Sequence, residues 1–421
     1  MPVGDMVLRN TRHFIALAGA IALATASLPA RADTVRLGYL YVSDYGLSVM
    51  DRYQYVYNQT QNMITAITPY GIGGNTSNAY FLGNATTNPV KEGVHGTSND
   101  IILVGGFHGN GVTNITRYTL DGAFIGEIPV NFSAYNNGNV GIGNVLVTSN
   151  GRYMYAPLEA GGAVVKIDLT NGAIVNSYAM TGAHDVAIAA NGDVYVSNYA
   201  AGAGTAKVIV LDADLNFRQN LITAMPAGVT GAFRPSGMSV AEDGSLYINA
   251  NQTAGTANSV LHYTVSGSPG SQTATYDPSK SYIGSPTNNS LQFTFGNNIG
   301  PDGKLYIAAL GGGCGVFGGI ATGYVDGIYA LDPTTGTVSQ AIAGCTEKTG
   351  PIGATGLSAP KYLQFSDNFV DVPDAGYQVP EPGTALLLVS GLLPVVLRRR
   401  NPASHPAPDE ALDSGARADH G

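Results

Sequence analysis

The stretch Ala187-Ile188-Ala189-Ala190-Asn191-Gly192-Asp193-Val194-Tyr195-Val196-Ser197-Asn198 decides the architecture. Two short apolar runs flank an Asn-Gly pair, and such pairs populate the positive φ angles of tight hairpin turns. Tyr195 alternates with small or apolar residues, as a pleated, half-buried strand demands. The same reading fits Met238 to Asn249 around Asp243-Gly244, Ile299 to Ala308 around Asp302-Gly303, and Val145 to Tyr155 around Asn150-Gly151. Each copy is strand, Asn-Gly or Asp-Gly turn, strand.

A second pair of strands follows each hairpin. Val164 to Leu169 precedes Thr170-Asn171-Gly172 and then Ala173-Ile174-Val175. Val208 to Asp212 is its counterpart in the next copy. Gly327 to Asp332 precedes Thr334-Thr335-Gly336, and Ile115 to Gly122 does the same job earlier. Each copy therefore predicts a four-stranded meander. The turn residues fall at 100, 150, 191, 243 and 302, in steps of 50, 41, 52 and 59. An irregular period of this size with four strands marks a β-propeller blade. A β-sandwich is the alternative, but it has no reason to repeat this hairpin.

The ends of the repeat region predict how the ring closes. Pro360 to Asn368 reads as a first strand and turn. Arg36 to Asp44 reads as a second strand, with Tyr41-Val42-Ser43-Asp44 matching Tyr195-Val196-Ser197-Asn198. The two would share one blade and remove the open sheet edge. The expectation is an all-β chain with one propeller over 33–375 and six blades. Seven remains open, because Asn58 to Gly93 is long and contains Ala79-Tyr80-Phe81-Leu82.

Composition removes several function classes. The chain has 421 residues, with 20 Lys+Arg against 29 Asp+Glu and a net charge of −9, so it carries no electrostatic footprint for nucleic acid. Its 56 Gly and 12% charged residues argue against a long helical protein. With 44% hydrophobic residues it has the material for a core. Two cysteines exclude a disulfide scaffold and a multi-Cys metal cluster. Cys314 and Cys345 both fall in the copy turning at Asp302, in Gly-rich stretches beyond its second and fourth strands. They are expected to form a disulfide in an oxidising compartment.

Both ends read as addresses. Arg9, Arg12 and His13 precede an apolar run from Phe14 to Leu28. Ala30-Arg31-Ala32 then supplies an A-x-A cleavage site, so 1–32 reads as a secretory signal peptide handled by Sec-type export machinery. At the other end, Pro380-Glu381-Pro382 precedes the apolar run Ala385 to Leu397 and the cluster Arg398-Arg399-Arg400. This order resembles the PEP-CTERM sorting signal of bacterial exosortase substrates. The resemblance implies that 376–400 is held in the inner membrane and processed by an exosortase-like enzyme, leaving the protein in the cell envelope or exopolysaccharide matrix. The physics suits that role: the apolar run partitions into the bilayer and the arginines hold its end on the cytoplasmic side. The run is short and contains Pro394, and a tail continues over 401–421, expected to be disordered. A permanent anchor is the alternative.

The repeated pattern, with Val-Tyr-Val-Ser-Asn and then a Val-rich strand ending in Asp, resembles NHL-repeat and gluconolactonase-like propellers over most of 33–375. Propellers place sites at the ends of the inner strands near the central channel. His95 precedes the turn at Asn99-Asp100, and His184-Asp185 precedes the turn at Asn191-Gly192. The two histidines are expected near the starts of inner strands of different blades. Asp44 and Asn198, at the ends of second strands, complete the candidates. Histidine is the usual general base and a common metal ligand, so a divalent cation in the channel is the cofactor considered, with its ligands unknown. Gluconolactonase-like enzymes bind such a cation through an acidic residue, Asn and Asp, and the N-terminal strand offers no matching glutamate. There is no HExxH, Walker loop or G-x-S-x-G elbow. Three expectations follow. The first is an exported module binding extracellular glycan or protein through loop aromatics. The second is a metal-dependent lactonase-like hydrolase or lyase. The third is a structural surface protein without a small ligand.

Overall fold

A computed structural model describes residues 34–44, 49–73, 82–87, 101–106, 114–119, 124–136, 140–148, 152–199, 205–229, 233–250, 258–284, 291, 294–309, 326–344, 357, 360–365 and 370–373. All belong to one compact unit, Met1–Tyr377; the second unit, Gln378–Gly421, contains none of them. The secretory signal, the sorting motif with its arginine cluster, His95, Cys314, Cys345 and the 401–421 tail lie outside the described residues. Among the described residues no helix is long and apolar enough to cross a membrane.

The chain is all-β. Its strands are β1 (Thr34–Asp44), β2 (Val49–Asn58), β3 (Met63–Gly73), β4 (Leu82–Thr87), β5 (Ile101–Gly106), β6 (Asn114–Thr119), β7 (Phe124–Pro129) and β8 (Leu146–Val147). They continue with β9 (Tyr153–Leu158), β10 (Ala163–Asp168), β11 (Ala173–Ala179), β12 (Ala183–Ile188), β13 (Val194–Asn198), β14 (Lys207–Leu211), β15 (Phe217–Ile222) and β16 (Pro235–Val240). The last are β17 (Leu246–Ala250), β18 (Ser259–Ser266), β19 (Thr273–Tyr276), β20 (Thr294–Ile299), β21 (Leu305–Ala309), β22 (Gly327–Asp332), β23 (Thr337–Ala343), β24 (Pro360–Phe365) and β25 (Val370–Pro373). They pair antiparallel in consecutive meanders: sheet II is β4 to β7, sheet III β8 to β11, sheet IV β12 to β15, sheet V β16 to β19 and sheet VI β20 to β23. Sheet I has the order β24-β1-β2-β3, with β25 also pairing β1. This succession of four-stranded meanders is a β-propeller arrangement. The segment from Asn58 to Gly93 supplies β3 and β4, the last strand of one sheet and the first of the next.

The hairpins form because their turn residues match the backbone they must adopt. Gly192, Gly244 and Gly303 take φ of 84°, 81° and 74°, where a side chain is strained. The preceding Asx side chain accepts the N–H two residues on: Asn191 from Asp193 at 3.0 Å, Asp243 from Ser245 at 2.9 Å and Asp302 from Lys304 at 3.3 Å. At the other turns, an Asp ends the third strand. Asp168 and Asp332 each accept the N–H and hydroxyl of the Thr two residues later.

The core lies between neighbouring sheets. Tyr155, Tyr195, Tyr247 and Tyr306 occupy one register position of the second strands, opposite Leu146, Ala187, Ser239 and Asn298. All four are buried, and each packs into the apolar cluster shared with the following sheet. Tyr155 also donates its hydroxyl to the Ala213 carbonyl of that sheet at 2.7 Å. Tyr41 holds the same position in sheet I, opposite Gln364. Sheets II and III share a further cluster around Phe132 and Ile115. The repeated tyrosine is thus the spacer that stacks one sheet on the next.

Closure follows the expected device. Leu40 to Ser43 of β1 pair with Tyr362 to Phe365 of β24, so residues 319 apart in sequence share a ladder; Tyr362 N–H donates to Ser43 Oγ at 3.0 Å. Strand β24 lies against both β20 and β4.

Candidate functional site

Strand pairing puts Val186, Met238, Asn297 and Leu363 at one level of the inner strands, opposite Val196, Ile248, Ile307 and Val42. Two residues earlier stand His184, Ser236, Phe295 and Lys361; one residue earlier stand Asp185, Gly237, Gly296 and Tyr362. These levels lie near the end of the sheets where inner strands begin and second strands finish, as the Ala183 and Asn198 pairing shows. The Asn-Gly and Asp-Gly hairpins close the opposite end.

The inner strands approach so closely that some positions admit no side chain. A Cβ on Gly237 would collide with the Phe295 carbonyl oxygen, and one on Gly143 with that of His184. Hydrogen bonds then run from sheet to sheet. Asn144 N–H donates to the His184 carbonyl at 3.1 Å. His184 Nδ1 meets the Ser236 carbonyl at 2.7 Å. Met238 N–H donates to Asp185 Oδ2 at 2.6 Å. Ser236 donates its hydroxyl to the Thr294 carbonyl at 2.6 Å, and Asn249 donates to the Phe295 carbonyl at 3.0 Å.

His184 is completely buried. A carbonyl can only accept, so Nδ1 carries the proton and Nε2 is the bare acceptor, facing the Tyr362 hydroxyl at 3.4 Å. The rings of Tyr199, Phe295 and Tyr362 surround the imidazole, with centroids 5.1, 5.5 and 5.9 Å away. Burial, reinforced by the Lys361 charge, pulls its pKa down to about 3, while the Ser236 bond opposes. The imidazole is neutral and both nitrogens face partners. It plugs the channel.

Asp185 is equally buried. Its carboxylate accepts Val186 N–H at 2.7 Å as well as that of Met238, and Asn144 bonds it too. Burial pushes the carboxyl well up against the pull of these donors. His184 and Asp185 are sequence neighbours with separate tasks: one binds Ser236, the other the amides of Val186 and Met238.

The remaining expected residues are dispersed. Asn198 donates to the Thr181 carbonyl at 2.8 Å, pinning the turn before β12. Asp44 ends β1 beside Pro360, with its side chain outside the described residues. His95 lies outside the described residues, in the chain between β4 and β5. Among the described residues no three His, Cys, Asp or Glu side chains converge to hold a metal ion.

Other residues cluster at this mouth instead. Lys361 is buried, its ammonium 5.0 Å from the Phe295 ring centroid and 5.5 Å from that of Tyr362. Burial lowers its pKa and Glu159 opposes; burial raises that of Glu159 and Lys361 opposes. Tyr199 is raised by burial and is hydrogen-bonded by Arg234. Sequence reading passed over these groups. The available signal was a lysine inside the strand Pro360 to Phe365. At the hairpin end the channel widens into a cavity of 290 Å³, whose polar lining is Asn144, Ser239, Asn297, Asn298 and Gln364. These amides partly satisfy one another: Asn298 donates to Gln364 at 3.0 Å and Ser239 to Asn297 at 2.5 Å.

No family model matches the sequence, and no curated protein matches it. Among solved structures, the nidogen/laminin complex is similar with a TM-score of 0.48 at 10% identity, covering 78% of this chain and 98% of that one. A protein from Lactobacillus plantarum gives 0.46 at 12% identity, covering 79% and 100%. The periplasmic gluconolactonase of Pseudomonas aeruginosa gives 0.43 at 12% identity, covering 78% and 99%. None of the three reaches a TM-score of 0.5, and the fold rests on the chain's own strand pairings.

Proposed function

We propose that the chain is an exported six-bladed β-propeller, closed by its two ends in one blade, that binds extracellular glycan or protein through the face where the inner strands begin. The observation that carries this reading is the plug. His184 and Asp185, the pair best suited to acid–base or metal chemistry, are buried and committed to bonds between inner strands. A base must reach the proton it takes, and these groups face only the protein. The plugged ring is a rigid scaffold, and recognition on such scaffolds falls to the connections. The chain's 24 Tyr and abundant Asn and Gly suit adaptable polar contacts there.

The address is part of the proposal. Sec-type machinery exports the chain and removes 1–32; the 376–400 segment halts in the inner membrane; an exosortase-like enzyme cuts at Pro380-Glu381-Pro382. The product resides in the envelope or exopolysaccharide matrix. Cys314 and Cys345 are proposed to pair after export. Intact-mass measurement from an exosortase-proficient host tests the address. A product shortened past Pro382 is expected, and one still carrying Arg398 to Gly421 identifies a permanent anchor. Catalysis is tested by incubating the purified protein with gluconolactone and divalent cations. No turnover above buffer is expected. Turnover abolished by a chelator and by His184→Ala replaces this reading with the lactonase-like one.

A further inference from the structure

The cavity at the hairpin end of the channel has a divided lining. Leu146, Ala187, Ser239, Asn298 and Gln364 stand at one register position, each opposite the spacer tyrosine of its sheet. Sheets III and IV give that position an aliphatic side chain, whereas sheets V, VI and I give it a hydroxyl and two amides. Inner strands β16, β20 and β24 are successive neighbours, so the polar groups form one arc; β8 and β12 are neighbours and form an apolar one. Hydrogen bonds along the polar arc do not exhaust it. Ser239 donates to Asn297, Asn298 to Gln364 and Gln364 to the Phe365 carbonyl. Among the described residues these bonds use one N–H of the Asn298 and Gln364 amides and leave the other N–H of each, Asn298 Oδ1 and the Ser239 lone pairs for a ligand. No carboxylate, ammonium or guanidinium lines the cavity among the described residues. The Asp185 carboxylate beside its floor is taken up by Val186, Met238 and Asn144.

Size and chemistry narrow the ligand. At 290 Å³ the cavity stands at the lower end of the ~300–1,000 Å³ typical of small-molecule sites, room for one small molecule and not for a chain. A charged ligand would leave water with no countercharge to meet it. A hydroxyl both donates and accepts, so neighbouring hydroxyls match an arc that offers N–H donors beside oxygen acceptors. An aliphatic arc facing a polar one selects a molecule with an apolar face and a polar edge. A pyranose has both, C–H groups on its faces and hydroxyls around its edge. We propose that this cavity binds a single neutral monosaccharide, its hydroxyl edge on Ser239, Asn298 and Gln364 and its C–H face on Leu146 and Ala187. The site lies across the His184 plug from the face assigned to glycan or protein above, and it does not depend on that reading.

The test is calorimetric titration of the purified exported protein with glucose, galactose and mannose, each beside its uronate and its 2-amino counterpart. At least one neutral sugar is expected to saturate, and its charged counterparts to bind at least tenfold more weakly. Asn298→Leu removes an amide of the arc. Ile188→Phe, at the half-buried end of β12, fills the space and leaves the arc intact. Each is expected to weaken the bound sugar at least tenfold with unchanged thermal unfolding. Gln364→Glu, which keeps the shape and adds a charge, serves should either fail to fold, with the same loss expected. Arg234→Gln, at the opposite mouth, is expected to bind like the parent. No saturation by any of the three sugars, equal affinity for a charged counterpart, cavity variants that bind like the parent, or loss of binding in Arg234→Gln would overturn the assignment. Retention on whole exopolysaccharide separates this site from the glycan reading, and Ile188→Phe is expected to be retained like the parent. Loss of that retention would put the polymer itself in the cavity and overturn the single-sugar assignment. A protein retained by the polymer yet blind to all three sugars loses this site alone, and one that binds a sugar without being retained loses the glycan reading alone.

Discussion

The Asp185 carboxylate ties an inner strand to its neighbour by accepting the buried N–H of Met238. Removing it orphans that amide and the one of Val186. Each buried donor left unpaired costs about 1–3 kcal/mol. Asp185→Ala is therefore expected to lower the unfolding free energy by about 2–4 kcal/mol, measured by urea denaturation. His184 gives a pH signature. Its folded pKa of about 3 lies below the ordinary 6.5, so the unfolded chain binds the extra proton first. Its contribution is whole above pH 6.5 and is lost as pH falls from there towards 3. In nitrogen-detected NMR, His184 should stay neutral with the proton on Nδ1 at pH 5; an imidazolium signal at that pH would contradict the plug. The sequence marked His184 and Asp185 among the channel candidates. It did not show their partners, because Ser236 and Met238 sit more than fifty residues away on another strand. The Glu159, Tyr199, Arg234 and Lys361 cluster was illegible for the same reason: its members come together only when four sheets are arranged in a ring.

Hairpins were the most readable elements, because an Asx-Gly pair states its own backbone conformation. Gly192 and Gly237 separate two reasons for a glycine. At Gly192 the φ is 84° and a Cβ would meet nothing within 4 Å, so Gly192→Ala pays only for backbone strain. The expected loss is about 1–2 kcal/mol. At Gly237 a Cβ would run into the Phe295 carbonyl, a backbone atom that cannot yield. Gly237→Ala should cost at least about 3 kcal/mol or prevent folding. Equal denaturation midpoints for the two variants would show that the close approach of inner strands has been misjudged. The tyrosine repeat was visible as alternation, but its role as an inter-sheet spacer was not, since alternation gives the face of a strand and not what covers it. The inner strands were harder to place: β4 was not recognised, because 82–100 carries no Asx-Gly pair to fix the register.

The ring depends on two ends that meet. Strand β1 pairs with both β2 and β24, so losing it exposes two edges at once. Deletion of Thr34 to Asp44 should abolish cooperative unfolding in calorimetry, and a truncated chain melting at the parental temperature would contradict closure. This device was legible, because Tyr41-Val42-Ser43-Asp44 repeats the second-strand pattern and Pro360 to Phe365 offers a first strand without a second. The proposed binding role draws on groups from many strands, and that asks for a binding experiment. Co-sedimentation of the processed, exported protein with exopolysaccharide isolated from its host tests the functional reading most directly. The expected result is saturable retention by a sample that turns over no lactone. Absence of retention at every polymer concentration, from a sample that hydrolyses gluconolactone in a divalent-dependent manner, would contradict it.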